Sequence, residues 1–355
     1  AQANEFWTPF PNALKPDVRR VMVRFLSAIL VDSAMMLQLA GSSSLRRNEP
    51  APHDGARFAV VRPFWSEELS SLQHTLLSPS APKACEDGPL PVDLVLYYAE
   101  DASSSVDQVL QTVAKSAAVN SCYRGVRVKY AGIAEHVGYP ASPCTQFVDM
   151  FTTEPSPLWG YSAVYLMELD VQPVRSGWLN KILPVLDEAA RGQAWVVGGA
   201  YNLQCMVERG NGRTLWQEKL DEGASTGQLE QGNEWWNNRH INGNAVYSSN
   251  AEFVEWVIQN WGRRQGGPEA ATDRCKAQGG YDEIMFLDAK QEFGGIPGGH
   301  SRWREDGRFM DCKPVGPHKS AKTMEATRLR ETFPNALMVH SSSTLHHWGL
   351  YLQID

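Results

Sequence analysis

The chain has 355 residues, is 43% hydrophobic and 21% charged, and carries a formal net charge of −7. That is an ordinary globular composition, with room for one large domain or two closely packed ones. The acidic balance, without a lysine or arginine block, argues against nucleic acid as the main partner, because a phosphate backbone calls for a basic face. Twelve Trp is a high count for this length. Most are read as core, while exposed ones would stack on sugar rings.

Six cysteines are scattered as Cys85, Cys122, Cys144, Cys205, Cys275 and Cys312. No two form a CxxC, which argues against a zinc ribbon or a redox motif. Their even number permits disulfides without assigning them. The start at Ala1, without Met or a signal peptide, reads as a mature or trimmed form. With the weak sequon Asn120-Ser121-Cys122 it leaves secretory residence open.

Residues 1–56 read as an N-terminal helical segment packed on the core. Its apolar stretch Val21–Ala40 is interrupted by Arg24 and Asp32, so it is not a membrane span. Pro16 and Gly41 suit the start and stop of a long helix. A membrane-surface helix is the sharper alternative.

From Arg57 the pattern alternates. Arg57–Trp65 reads as a strand with Arg62 and Pro63 at its end, and Ser66–Leu77 as a helix capped by Ser66. Val92–Tyr98 is a strand, Val106–Ala118 a helix, Val126–Ile133 a strand. His136–Phe151, broken by Pro140 and Pro143, reads as irregular. Ala163–Met167 is the next strand. Such alternation predicts an α/β fold with a mostly parallel central sheet and helices on both faces. Ligands collect at the carboxyl ends of strands in such sheets. Further on come a helix over Leu179–Arg191, a strand over Ala194–Ala200 and a long polar loop over Met206–Trp236. Helices follow at Ala251–Asn260 and Tyr281–Ala289. Phe293–Pro317 is loop-rich, and Asn335–His340 is a late strand.

The Ala163–Met167 strand ends in Glu168-Leu169-Asp170, followed by Pro173 and a helical pattern from Trp178. Residues i and i+2 of an extended segment share a side, so both carboxylates can face one ion. Oxygen ligands suit hard cations such as Mg²⁺ or Mn²⁺. The bland alternative is a solvated strand end. His340, at the end of another apolar run, can supply an imidazole nitrogen, with His346 and His347 as competitors. His240-Ile241-Asn242-Gly243-Asn244 offers amides suited to hydroxyl recognition, or else an Asn-Gly turn. Gly280-Tyr281-Asp282-Glu283 places two carboxylates at a helix start, where they complement the helix dipole or act as a general base. Arg62 is either a bidentate phosphate contact or structural. The P-loop, Rossmann, GxSxG and HExxH motifs are absent.

Taken in order, Tyr165–Asp170 with Val174–Leu179, then HINGNAVY, YDE at a helix start and LMVH resemble glycosyltransferases of the GT-A fold. The resemblance spans about Arg57–His340 and rests on short motifs. It departs from the usual Asp-x-Asp in that the first acid is Glu168. It implies a GT-A-like domain over 57–355, with a nucleotide-binding half at about 57–200 and an acceptor-binding half at about 201–355. It also implies Mn²⁺ or Mg²⁺ held by Asp170, by Glu168 directly or through water, and by His340. The donor would be a nucleoside diphosphate sugar, UDP-sugar favoured, bound with help from Arg62, Asn242, Gly243 and Asn244. Asp282 or Glu283 would be the base toward a glycan or glycoprotein acceptor. The setting implied is the Golgi lumen, with a cytoplasmic one as alternative. Competing functions are a catalytically silent carbohydrate-binding protein and a nucleotidyltransferase on a similar scaffold.

Overall fold

The computed structural model describes residues 57–79, 81–133, 138, 141–153, 156–207, 213–217, 241–261, 273–277, 280–293, 302–313 and 322–341. The expected helix at Val21–Ala40 and the candidates His240, His346 and His347 lie outside that set.

The first half forms parallel strands β1 (Phe58–Phe64), β2 (Val92–Tyr98), β3 (Val126–Tyr130) and β4 (Ala163–Leu166). β1 pairs with β2 on one side and β4 on the other, and β2 pairs with β3. β1 and β2 are rich in Val and aromatics and almost wholly buried. That is the mark of strands covered on both faces. The connections are helices: α1 (Leu69–Leu77), α2 (Ser104–Ala114), the short α3 (Ala117–Asn120) and α4 (Ala141–Thr152). Ser66 does not cap α1. A 3₁₀ turn over Ser66–Glu68 comes first, and the Glu68 carboxylate accepts from the Trp65 N–H at 2.9 Å.

α4 corrects the expectation of irregular chain over His136–Phe151. Pro143 falls in its first turn, where a missing N–H costs no hydrogen bond. Cys144, Phe147, Val148 and Phe151 then form a buried stripe at helical spacing.

Beyond β4 the chain makes the short β5 (Val171–Pro173) and α5 (Trp178–Ala190), then β6 (Val196–Ala200) and β7 (Met206–Val207). Pro173 therefore ends a strand before the turn at Gly177, whose φ of 68° is left-handed and suits glycine. β8 (Ile241–Ser248) runs antiparallel between β4 and β6. Ile241–Tyr247 of HINGNAVY is thus neither a hairpin turn nor a pocket loop, but part of a strand inside the seven-stranded sheet β3-β2-β1-β4-β8-β6-β9. Then come α6 (Ala251–Trp261), α7 (Tyr281–Phe293), β9 (Trp303–Glu305), β10 (Phe309–Asp311), β11 (Lys322–Thr323), α8 (Ala326–Thr332) and β12 (Met338–His340).

The core lies in two layers. Phe58, Val60 and Phe64 of β1 face α1, α2 and α5, while Ala59 and Val61 face α4, α6 and α7. This alternation is the period-2 geometry of a strand buried on both sides. A small second sheet, β10-β12-β5, sits beside the end of β4. All six cysteines are paired, as Cys85–Cys122, Cys144–Cys275 and Cys205–Cys312. No described helix is long and apolar enough to cross a membrane.

Candidate functional site

β4 ends at Leu166, and the Met167 N–H still donates to the Val61 carbonyl at 2.9 Å. The chain therefore leaves the sheet at Glu168, at the carboxyl end of a parallel strand. Three residues later it re-enters order as β5, which pairs antiparallel with β12 so that Val171 lies opposite His340. β12 pairs in parallel with β10, with His340 opposite Asp311. Sheet register, not sequence proximity, thus draws Asp170, His340 and Asp311 together.

Glu168, Asp170 and His340 each offer a ligand atom, and these atoms lie within 4.8 Å of one another. His340 is buried between two carboxylates. Its Nε2 is 2.9 Å from Asp170 Oδ2 and its Nδ1 is 3.1 Å from Asp311 Oδ1. Burial pulls the imidazole pKa down, but Asp170 and Asp311 outweigh it and raise the value to about 10. Both ring nitrogens then carry protons in this state. Burial pushes the Asp170 carboxyl up, yet His340 and Lys313 win and hold it well below the ordinary carboxylate range. Glu168 moves the other way, to about 7, through burial first and then the Asp170 charge, against opposition from His340 and Lys313.

Glu168 is anchored at both its backbone and its carboxylate. Its N–H donates to Asn244 Oδ1 at 2.8 Å, and Tyr281 Oη donates to its Oε1 at 3.0 Å. Asn244 comes from β8, and Tyr281 opens α7. The Tyr281 ring stacks on Phe147 of α4, with centroids 4.1 Å apart. Gly243 packs against that same tyrosine. A Cβ at this position would overlap the Tyr281 hydroxyl and sit 3.2 Å from Glu168 Oε1. The Gly243 N–H donates to Asp282 Oδ2 at 3.1 Å. Gly243, Asn244 and Asp282 therefore join one hydrogen-bonded cluster with Glu168. The side chains of Asn242 and Glu283 lie outside the described set.

Arg62 lies near the carboxyl end of β1, and it is buried, 1% exposed. Its guanidinium nitrogens have no hydrogen-bond partner among the described residues. Burial lowers its pKa to about 10 against the opposing fields of Tyr123, Tyr165 and Asp170. It contributes a fixed positive charge from the core side of the acidic corner, not a surface contact to phosphate. Next to His340 lies a cavity of about 10 Å³, lined by Tyr165, Asn244, Phe309, Asp311 and Met338 among others. That is room for about one water.

Three residues of this site escaped the sequence reading: Lys313, Asp311 and Tyr281. Lys313 Nζ is 2.7 Å from Asp170 Oδ2. The apolar pair Phe309-Met310 ahead of Asp311 was the one signal for a strand delivering Asp311 and Lys313.

Two carboxylates and an imidazole form a hard-to-borderline donor set that fits Mn²⁺ or Mg²⁺. Asp311 stands behind the imidazole, where an outer carboxylate would orient the ring were it to bind a metal.

No family model matches the chain, and no curated protein matches it in sequence. Among solved structures it is similar to mouse xyloside xylosyltransferase 1, at 11% identity over 80% of this chain and 97% of that one, with a TM-score of 0.40. It is similar to the galactosyltransferase LgtC in complex with donor and acceptor sugar analogs, at 14% identity over 80% and 87%, with a TM-score of 0.42. It is also similar to core-mannan synthase A from Aspergillus fumigatus in its Mn/GDP form, at 12% identity over 62% and 68%, with a TM-score of 0.32. Fold and site define an α/β protein whose strand ends carry a cluster able to hold a divalent cation.

Proposed function

We propose that the protein is a metal-dependent glycosyltransferase that moves a sugar from a nucleoside diphosphate sugar, UDP-sugar favoured, to an acceptor hydroxyl on a glycan or glycoprotein. The observation that carries this reading is the convergence of Glu168, Asp170 and His340 at the carboxyl end of β4. The order of the motifs along the chain supports it.

Glu168, Asp170 and His340 would hold Mn²⁺ or Mg²⁺. Once bound, the cation supplies Lewis-acid neutralisation of the charge that builds on the departing diphosphate. Tyr281 fixes the Glu168 carboxylate, Asn244 fixes the Glu168 backbone, and Asp311 fixes the His340 ring. In an inverting transfer, Asp282 takes the acceptor hydroxyl proton as the bond from that oxygen to the anomeric carbon forms. The bond from that carbon to the diphosphate oxygen breaks in the same event. The hydrogen bond from Gly243 holds Asp282 within the cluster, which favours it over Glu283 as the base. Arg62 adds positive potential from below. Three disulfides suit an oxidising compartment, and the Golgi lumen is the location we favour.

The test is transfer or hydrolysis of a panel of UDP- and GDP-sugars with Mn²⁺ and with chelator, alongside melting temperatures. Ligands that bind the folded state raise the melting temperature with concentration. A nucleotide-specific, Mn²⁺-dependent shift and turnover are expected. Undiminished activity in chelator overturns the metal role.

A further inference from the structure

Asp170 Oδ2 receives two cationic groups at once, His340 Nε2 at 2.9 Å and Lys313 Nζ at 2.7 Å. His340 belongs to the cluster that fits a cation. Lys313 is a cation itself and stands on the oxygen such a cluster would use. We propose that Lys313 is a diphosphate-binding side chain that Asp170 holds in reserve while the metal is absent. The incoming cation displaces the ammonium, and the ammonium then pairs with the phosphate oxygens. This rests on the metal-centre reading above.

The backbone of Lys313 is fixed on its own strand end, and its head group is held by Asp170. The Lys313 N–H donates to Asp311 Oδ1 at 3.1 Å. The Cys312 N–H donates to the His340 carbonyl at 2.9 Å, and Cys312 is tied to Cys205. The side chain that leaves this pinned segment is long and flexible, with three donors on a compact charge. It is 35% exposed, and Asp170 is 31% exposed, so the pair meets at the solvent side of the cluster. His340, at 5%, closes the inner side.

A divalent ion on Asp170 repels an ammonium at contact distance, so the two do not share that oxygen. An ammonium displaced from Asp170 is drawn to negative charge, and a diphosphate is the anion the proposed reaction brings. Arg62, which also feels the Asp170 charge, is 1% exposed and cannot meet a ligand from solvent. Lys313 is thus placed to do two opposed things: compete with the metal and assist the diphosphate.

Opposed effects make the test sharp. Lys313→Met keeps the length and removes the charge. Titration calorimetry with Mn²⁺ alone should show the variant binding about tenfold more tightly than the parent. Pyrophosphate or UDP, titrated at saturating Mn²⁺, should bind about tenfold more weakly. Lys313→Arg should restore nucleotide binding in part. A merely structural lysine moves both affinities in one direction or neither, and either result overturns the proposal. Asp170→Ala is the parallel control. If it abolishes Mn²⁺ binding while Lys313→Met leaves Mn²⁺ affinity unchanged, the metal centre stands and the lysine role falls. If parent and Lys313→Met both ignore Mn²⁺, the metal centre and this proposal fall together. Circular dichroism of each metal-free variant checks that folding is intact.

Discussion

Asp170 and His340 stand 170 residues apart in the chain, yet His340 Nε2 lies 2.9 Å from Asp170 Oδ2. The antiparallel pairing of β5 with β12 makes that contact. Replacing Asp170 removes a proposed cation ligand and the anchor of two positive groups. Asp170→Asn should lose Mn²⁺ binding measured by calorimetry and lower turnover by at least about a hundredfold. The circular dichroism spectrum should stay that of the parent, because the side chain is 31% exposed and fills no core space.

Asp311 touches His340 from behind, at 3.1 Å. Loss of such an outer carboxylate typically costs about 10–100-fold in metal affinity. Asp311→Asn should fall in that range for Mn²⁺, with a smaller change in melting temperature than a core truncation produces. Unchanged affinity would show that the ring is held by β12 alone.

Gly243 has no room for a side chain, since a Cβ would collide with the Tyr281 hydroxyl. Gly243→Ala should push Tyr281 off Glu168 and destabilise the fold by about 1–3 kcal/mol, the usual range for overpacking. Tyr281→Phe removes the same hydrogen bond without the clash. It should weaken Mn²⁺ binding while sparing most of the stability, read from denaturant unfolding.

The site's pH dependence has a definite sign. His340 is raised from its ordinary 6.5 to about 10, and Glu168 from 4.5 to about 7. Groups raised on folding stabilise the protein below their unfolded values, and that contribution is lost as pH rises through the folded ones. Asp170 is lowered, so its contribution is present above its ordinary 3.8 and is lost on acidification. The metal-free protein should therefore melt highest at weakly acidic pH, and its melting temperature should decline from about pH 6 to pH 10. Metal binding runs the other way, because ligands must shed protons. The rise in melting temperature caused by Mn²⁺ should grow between about pH 6 and pH 8. A rise independent of pH would contradict the assignment of Glu168 and His340 as ligands.

Cys312 lies between Asp311 and Lys313 and is bonded to Cys205. Removing a native disulfide typically costs about 2–5 kcal/mol. The pair Cys205→Ala with Cys312→Ala should lose Mn²⁺ affinity as well as stability. Cys85→Ala with Cys122→Ala, which unties the loops beside α1 and α3, should lose stability alone.

Much of the sheet was readable because local pattern and final environment agree. Val92–Tyr98 was delimited from sequence alone, since Val, Leu and Tyr without a breaker suit a strand covered on both faces. Glu168 and Asp170 were legible for a related reason: an apolar run stops at two acids. α4 was missed because Pro140 and Pro143 hid a stripe of Cys144, Phe147, Val148 and Phe151. β8 was misread because Asn242-Gly243 mimics a turn. There the glycine answers a tertiary demand, the approach of Tyr281, that no local window contains. Lys313, Asp311 and Tyr281 reach the site across 143, 29 and 113 positions respectively. Such pairings follow from how two short strands and a helix dock, and each of those strands has only three residues.

The crossing of two disulfides has one more consequence. Cys144–Cys275 and Cys205–Cys312 interleave along the chain, so any peptide bond broken between Cys205 and Cys275 leaves two pieces still joined by both bridges. A protease that nicks this stretch would yield a single band on a non-reducing gel and two after thiol treatment. Cleavage there would separate neither Asp170 from His340 nor β4 from its partners until the bridges were reduced.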